Sequence, residues 1–358
     1  MKIIVTAGGT GGHIYPALAI INKIKEIEPK SEILYIGTHN RMEKDIIPEY
    51  NIEYYPLEIY GLSKKDILRN IKNVYLILKA YKKCKKVIKE FKPDIVIGVG
   101  GYVTYPVILA AHNLKVKTFI HEQNSIPGKS NRMLGNIVDA IGVSFKDSTN
   151  YFKNKEIVYF TGNPCSENAL TTKKVSKEIY NIPKGKKAVL IVSGSLGSST
   201  INDKMIDFLK KSSKCNYDII YVTGKDYYEK FNENNFSKNI HIVPFVDNMS
   251  GLLKSVDVII SRAGATSLSE ILALKIPSII IPSPYVANNH QYYNALSLKN
   301  ENACIMIEEK DLDYDILSSS IDKCLDTEFS YSLKNNMSKL SIDDSATKIY
   351  DILKNLIK

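Results

Sequence analysis

The sequence predicts an α/β protein built from two doubly wound, Rossmann-like parallel-sheet domains. Three observations lead there. Short Ile- and Val-rich runs alternate with stretches of helical apolar spacing. That arrangement starts afresh near residue 186. Glycine turns follow strand-like runs at "GGTGGH", "GVGGYV" and "SGSLGS".

In the first series, "KIIVTA", "EILYIG", "DIVIGV" and "KTFIHE" have no polar alternation, as expected of strands covered on both faces. After Gly12, the spacing of Ala17, Ile20, Ile24 and Ile27 predicts a helix, with Pro16 in its first turn. Between Lys64 and Lys92 stand eleven Lys or Arg against two acids, Asp66 and Glu90. This excess of nine is nearly the whole formal charge of +10. Residues 66–91 read as a basic amphipathic helix, with Ile67, Ile71, Val74, Leu78 and Tyr81 toward the core. The run "VYLIL" adds apolar groups outside that face. Such a helix suits an anionic membrane surface, and a solvated helix face is the plain structural alternative.

The second series opens with "GKKAVLIVSGSLGSSTINDKMIDFL" and continues through "DIIYVTG", "IHIVPF", "DVIISRAG" and "PSIIIPSP". Gly, Asn and Pro cluster in "VYFTGNPCSEN", which predicts the junction. The expected division is 1–162 and 163–344. The final helix, 345–358, is open to either domain, and packing back on the first is one expectation.

At 358 residues, two such domains bury sizeable cores without covalent staples. The five cysteines are scattered with no CxxC pair, which argues against a disulfide framework or a thiolate zinc site. The start is too short in apolar residues for a signal peptide, and no run approaches the length of a membrane span. The expectation is a reduced, cytoplasmic protein.

The opening loop fails two common fingerprints. Read from Gly9, the third glycine of GxGxxG is replaced by Ile14, and no Gly-Lys-Ser/Thr follows for a P-loop. What remains is a strand, a glycine turn and a helix start, whose N–H groups suit an anion, with His13 at the rim. "GVGGYVTYP" and "SGSLGS" make further turns. If the two sheets face each other across a crevice, all three turns line it, and two anionic ligands meet there. "HEQNSIPG" is not HExxH, because Ser125 takes the second histidine's place, so no zinc is expected. In "SRAGATSLSEI", Ser267 and Glu270 match a capping box. The functional alternative is a carboxylate that accepts both ribose hydroxyls. "NNHQYYNA" is amide-rich and suits either sugar hydroxyls or a helix start.

In this order, "GGTGGH", "GGYVTYP", "HEQN", "TGNP", "SGSLG", "SRAGATSLSE" and "HQYYNA" closely resemble MurG-type enzymes, N-acetylglucosaminyltransferases of glycosyltransferase family 28. The resemblance spans residue 3 to about 300 and lies in the combination rather than in any one piece. It implies a GT-B fold and inverting, metal-independent transfer of GlcNAc from UDP-GlcNAc, with no cofactor. The acceptor it implies is the C4 hydroxyl of MurNAc in undecaprenyl-diphosphate-linked lipid I, and the product is lipid II for peptidoglycan synthesis. By motif, Thr10, Gly11, Gly12 and Asn124 touch the donor from the first domain. Ser166, Ser195, Val246, the run Ala265, Thr266, Ser267, Leu268, Ser269 and Glu270, and Gln291 complete the donor site. Gly100, Gly101, Tyr102 and His121 fall on the acceptor side, and Asn202 also matches an important position. His13 and Glu122 are the candidate catalytic residues, and the motif leaves open which is the base. The implied location is the cytoplasmic face of the cell membrane, held peripherally, with other cell-wall or division proteins as candidate partners. No aromatic–basic pattern points to nucleic acid.

The sequence departs from the family at two places. Ser166 stands where "GNPxR" commonly has Arg, and Leu196 stands where "GGSQG" has Gln. Arg262 or the Gly197 loop is the expected compensation for the missing cation. The rival functions are a diacylglycerol glycosyltransferase or a UDP-GlcNAc 2-epimerase on the same fold, or a non-catalytic nucleotide-sugar sensor.

Overall fold

The structure is a computed structural model that describes residues 1–61, 67–192 and 199–358. The chain divides into two compact units: Met1–Glu167 with Asp344–Lys358, and Asn168–Asp343.

The first unit carries seven parallel strands: β1 (Lys2–Thr6), β2 (Glu32–Thr38), β3 (Glu53–Leu57), β4 (Ile95–Gly98), β5 (Lys117–Glu122), β6 (Ala140–Val143) and β7 (Val158–Phe160). Their order is β3-β2-β1-β4-β5-β6-β7, so the winding reverses between β1 and β4. The glycine turns at 8–12 and 99–101 follow these two strands, which is where an open α/β sheet binds its ligand. β4 is buried at all four positions, as its unbroken apolar run requires. Helices cover both faces. One core packs Ile4, Ile36, Val96 and Ile120 against Ala80, Cys84, Val87 and Ile88. The other packs Ile3, Val5, Ile97 and Phe119 against Ile14, Ile20, Ile21 and Ile24.

The second unit has six strands in the order β10-β9-β8-β11-β12-β13, again all parallel. They are β8 (Lys187–Val192), β9 (Tyr217–Val222), β10 (Ile240–Val243), β11 (Val258–Ser261), β12 (Ser278–Ile280) and β13 (Ile305–Met306). Here the switch point lies between β8 and β11. Ser195, Leu196 and Gly197, which follow β8 in the chain, lie outside the described residues.

The terminal helix Ser345–Ile357 packs in the first unit, where Ile349 and Leu353 join the core with Ile3 and Ile21. Glu167 accepts the N–H groups of Ala346 and Thr347 at 2.9 and 3.1 Å and so holds the start of this helix. Further along, Tyr350 Oη and Lys354 Nζ each reach Glu28 at 2.7 Å.

Two sequence expectations need correction. The first helix runs Gly11–Ile27, so Pro16 lies beyond its first turn rather than in it. The helix Ile67–Phe91 forms as expected, but its core face is a different one. Ile71, Val74 and Leu78 are 64%, 53% and 57% exposed, and Tyr75 beside them is 65% exposed. Of the positions expected inside, Tyr81 packs against the core, and the Ile67 side chain lies outside the described ones. The inward face is Asn73, Leu76, Ala80, Cys84, Val87 and Ile88. Asn73 is tolerated there because its Nδ2 donates to Gly61 O at 3.1 Å.

Candidate active site

In the first unit the two glycine turns interlock. Gly8 N donates to Gly100 O at 3.2 Å. A Cβ on Gly101, at φ +88°, would lie 2.3 Å from Gly8 O, so only glycine allows this approach. Gly100, at φ +109°, leaves room for the His13 ring, whose Nδ1 would be 2.6 Å from a Cβ there. The helix N-cap, Thr10, makes no side-chain cap, and its carbonyl receives the His13 and Ile14 N–H groups. Such an uncapped helix start turns unpaired N–H groups outward, a feature that suits an anion.

His13 is half-buried, and its Nδ1 lies 2.9 Å from Gln123 Oε1. Gln123 is buried, with Nε2 3.1 Å from Val99 O and 3.0 Å from His121 Nδ1. His121 in turn places Nε2 3.0 Å from Gly162 O. Its complete burial lowers its pKa to about 4, so the ring is neutral at physiological pH. Glu122 is buried and fully engaged. Oε1 accepts Asn124 N and Nδ2 at 2.9 and 3.2 Å, and Oε2 accepts Gly128 N and Asn131 Nδ2 at 3.0 and 2.8 Å. Its geometry is that of a brace for the loop after β5. Tyr102 packs on the first core and borders Gly61, which ties the helix Ile67–Phe91 to the second glycine turn.

A further brace escaped the sequence reading. Glu43 is fully buried, and its carboxylate accepts Thr38 N and Oγ1 at 3.0 and 2.6 Å and Gly9 N at 3.2 Å. It joins the end of β2 to the first glycine turn.

In the second unit, the helix Ala265–Leu274 begins at Gly264 with no side-chain cap. Ser267 therefore lies inside the helix, and the capping-box alternative for Glu270 does not hold. Glu270 instead accepts Ser250 Oγ at 2.9 Å. Burial raises its carboxyl to about 7, opposed by that bond. Beside it Ser267, Ser261, Val192 and Met249 line a cavity of about 30 Å³. The Thr266 hydroxyl is buried with no hydrogen-bond partner among the described residues. Gln291 Oε1 accepts Ser283 N at 2.9 Å, and Val246 is buried in the turn after β10.

The chain matches the glycosyltransferase family 28 N-terminal domain over residues 3–143 and the family's C-terminal domain over residues 188–356. It is 42% identical, over 99% of both chains, to the UDP-N-acetylglucosamine–N-acetylmuramyl-(pentapeptide) pyrophosphoryl-undecaprenol N-acetylglucosamine transferase of Bacillus pumilus. The chain belongs to glycosyltransferase family 28. Among solved structures it is similar to MurG of Acinetobacter baumannii, with a TM-score of 0.82, 25% identity and 99% of each chain covered. The UDP-GlcNAc 2-epimerase of Neisseria meningitidis shares the fold alone, with a TM-score of 0.66, 16% identity and 99% and 100% coverage. The GT-B class expected from the sequence is the fold observed.

Set against the family-28 motifs, the structure gathers His13, Gly100 and His121 into one cluster around Gln123, while Gly101 packs on Gly8. Two expected donor contacts have other work. Ser166 is buried, donates to Asn163 O at 2.8 Å and lies 2.9 Å from Ser345 Oγ, where it helps seat the terminal helix. Arg262 is buried, paired with Glu309 at 2.7 Å and donating to Ile281 O at 3.3 Å. Asn202 is buried and accepts the Tyr221 hydroxyl at 2.5 Å.

Proposed function

We propose that this family-28 enzyme transfers GlcNAc, with inversion, from UDP-GlcNAc to the C4 hydroxyl of MurNAc in lipid I, giving lipid II. The full-length likeness to the Bacillus pumilus transferase carries the reading, and each part of the site supports it. In the second unit, Glu270 accepts the ribose hydroxyls, Val246 lies by the uracil and Gln291 by the sugar. The uncapped N–H groups and hydroxyls from Ala265 to Ser269 meet the diphosphate. Ser195 is assigned to the same phosphates by motif. In the first unit, Thr10, Gly11, Gly12 and Asn124 complete the donor contacts, Gly100, Gly101 and Tyr102 hold the acceptor, and the buried His121 acts on that side through Gln123.

The chemistry is one displacement. The acceptor oxygen forms a bond to the sugar C1 as the bond from C1 to the phosphate oxygen breaks. UDP leaves with the electron pair, and the hydroxyl proton passes to His13 Nε2. His13 is favoured as the base because both oxygens of Glu122 already accept two N–H donors. Charge gathering on UDP is met by helix N-termini and N–H groups.

The enzyme acts at an anionic membrane surface, the cytoplasmic one. The exposed stripe Ile71, Val74, Tyr75 and Leu78, flanked by exposed Lys72, Lys79, Lys82 and Lys83, supports peripheral docking. No described helix is long and apolar enough to cross a membrane.

A coupled assay for UDP release tests the function. Release is expected only when lipid I is added, and it should persist in EDTA. Release without acceptor, or conversion of UDP-GlcNAc to its 2-epimer, would move the chain to a rival activity. Loss of turnover in EDTA with rescue by magnesium would overturn the metal-free route.

A further inference from the structure

We propose that Gln123 is a positioning residue that holds the proton of neutral His13 on Nδ1 and leaves Nε2 bare to receive the acceptor's proton. The inference rests on His13 as the base and adds what makes it one.

Three backbone carbonyls fix the direction of every bond in the cluster. Gln123 Nε2 faces Val99 O at 3.1 Å and His121 O at 3.2 Å. A carbonyl oxygen can only accept, so the amide nitrogen must stand there, and the reversed amide would set oxygen against two oxygens. His121 Nε2 faces Gly162 O at 3.0 Å, so it carries the proton and donates. A neutral His121 then has a bare Nδ1 at 3.0 Å from Gln123 Nε2, whose two hydrogens are shared among this nitrogen, Val99 O and His121 O. Its full burial keeps it neutral. With the amide so oriented, Gln123 Oε1 faces His13 Nδ1 at 2.9 Å and can only accept. His13 therefore donates from Nδ1, and its lone pair lies on Nε2.

The ring cannot easily slip out of this bond. A Cβ at position 100 would touch its Nδ1 and Cε1 at 2.6 and 2.8 Å, so the Gly100 backbone closes one side of the ring. An aspartate does the same tautomer-fixing work for the histidine of a serine hydrolase. A neutral amide fixes the tautomer without placing a charge beside the base.

Nitrogen NMR of the wild-type enzyme labelled at histidine, above the pKa of His13, reads the tautomer directly. Nδ1–H is expected at His13 and Nε2–H at His121. In Gln123→Leu, His13 should become a mixture of tautomers. Its kcat should fall at least tenfold, with KM for UDP-GlcNAc within about twofold. Wild-type His13 protonated at Nε2 would overturn the proposal, and this needs no variant to fold. So would a folded Gln123→Leu that keeps both the Nδ1–H tautomer and wild-type kcat. His13→Ala separates the two readings. If its kcat is unchanged, His13 is not the base, whereas the tautomer shift in Gln123→Leu still decides what Gln123 does.

Discussion

Gly101 approaches Gly8 so closely that a single methyl at position 101 would sit 2.3 Å from the Gly8 carbonyl oxygen. The two turns that flank the first switch point are thus one interlocked unit. Gly101→Ala should break it twice over, because φ is +88° there and the clash is with backbone. Left-handed backbone alone costs an alanine about 1–2 kcal/mol. Expected are a melting temperature lower by several degrees and a kcat at least tenfold lower, since the displaced turn carries the seat of His13. A Gly101→Ala enzyme with wild-type melting and turnover would show that the turns move independently.

Glu270 gives a pH dependence. Its carboxyl titrates near 7 because it is buried, yet ribose hydroxyls bind best to the ionised form. UDP should therefore bind more tightly as pH rises through 7, by about tenfold between about pH 6 and about pH 8, with proton release on binding below 7. Glu270→Ala should weaken UDP by about 1.5–3 kcal/mol and flatten the profile. Calorimetry in two buffers of different ionisation enthalpy checks both. A pH-independent affinity in the wild type would place the ribose elsewhere.

The stripe Ile71, Val74, Tyr75 and Leu78 lies exposed beside lysines. Replacing Ile71 and Leu78 with Ser, or Lys79 and Lys82 with Glu, should leave the fold intact and lower partition onto anionic vesicles. Each lysine near a charged bilayer is worth about 1 kcal/mol and is screened by salt. Co-sedimentation that ignores the substitutions, the salt and the anionic lipid fraction would reduce the stripe to a solvated face.

Much of the fold was legible because buried parallel strands write themselves as unbroken Ile and Val runs. Faces were harder. The helix Ile67–Phe91 carries two apolar stripes, and the more regular one points outward. The inner one is interrupted by Asn73, whose partner Gly61 O is invisible in sequence. The glycine turns and HEQN marked the site, and the resemblance ordered them. Gln123 stood within that string but had no assigned role, because its importance lies in the carbonyls it faces. Glu43 left no periodic trace either. The contact of Ser166 with Ser345 is invisible in sequence, because the two lie 179 positions apart.

The contacts that tie the terminal helix to Glu28 should weaken in acid. Glu28 joins Lys354, Tyr350 and the N-terminal amine, and these hold its carboxyl down at about 2, against an ordinary 4.5. A lowered folded pKa means the stabilisation is complete above about pH 4.5 and is lost as pH falls toward 2. The side chain is 24% exposed, so its share is only about 0.5–1 kcal/mol. Glu28→Gln should lower stability at neutral pH by that amount and reduce the acid-dependent loss. Urea melts at several pH values would show it, and identical acid slopes for the two proteins would refute it.

The identity of the base separates two substitutions by their signatures. His13 touches the fold mainly through Gln123 and leaves one nitrogen unbonded among the described residues, so His13→Ala removes little structure. Its kcat should fall by about two orders of magnitude or more, with UDP-GlcNAc affinity and melting temperature nearly unchanged. Glu122 is buried and holds four N–H donors of its own loop. Glu122→Gln turns one acceptor into a donor facing donors, which costs about 1–3 kcal/mol. It should lower the melting temperature by a few degrees and reduce kcat only as the loop that carries Gln123 loosens. Steady-state kinetics beside thermal melts of both variants decide the matter. A well-folded, inactive Glu122→Gln together with a His13→Ala enzyme within about threefold of wild type would transfer the base to Glu122, leaving His13 to position the acceptor.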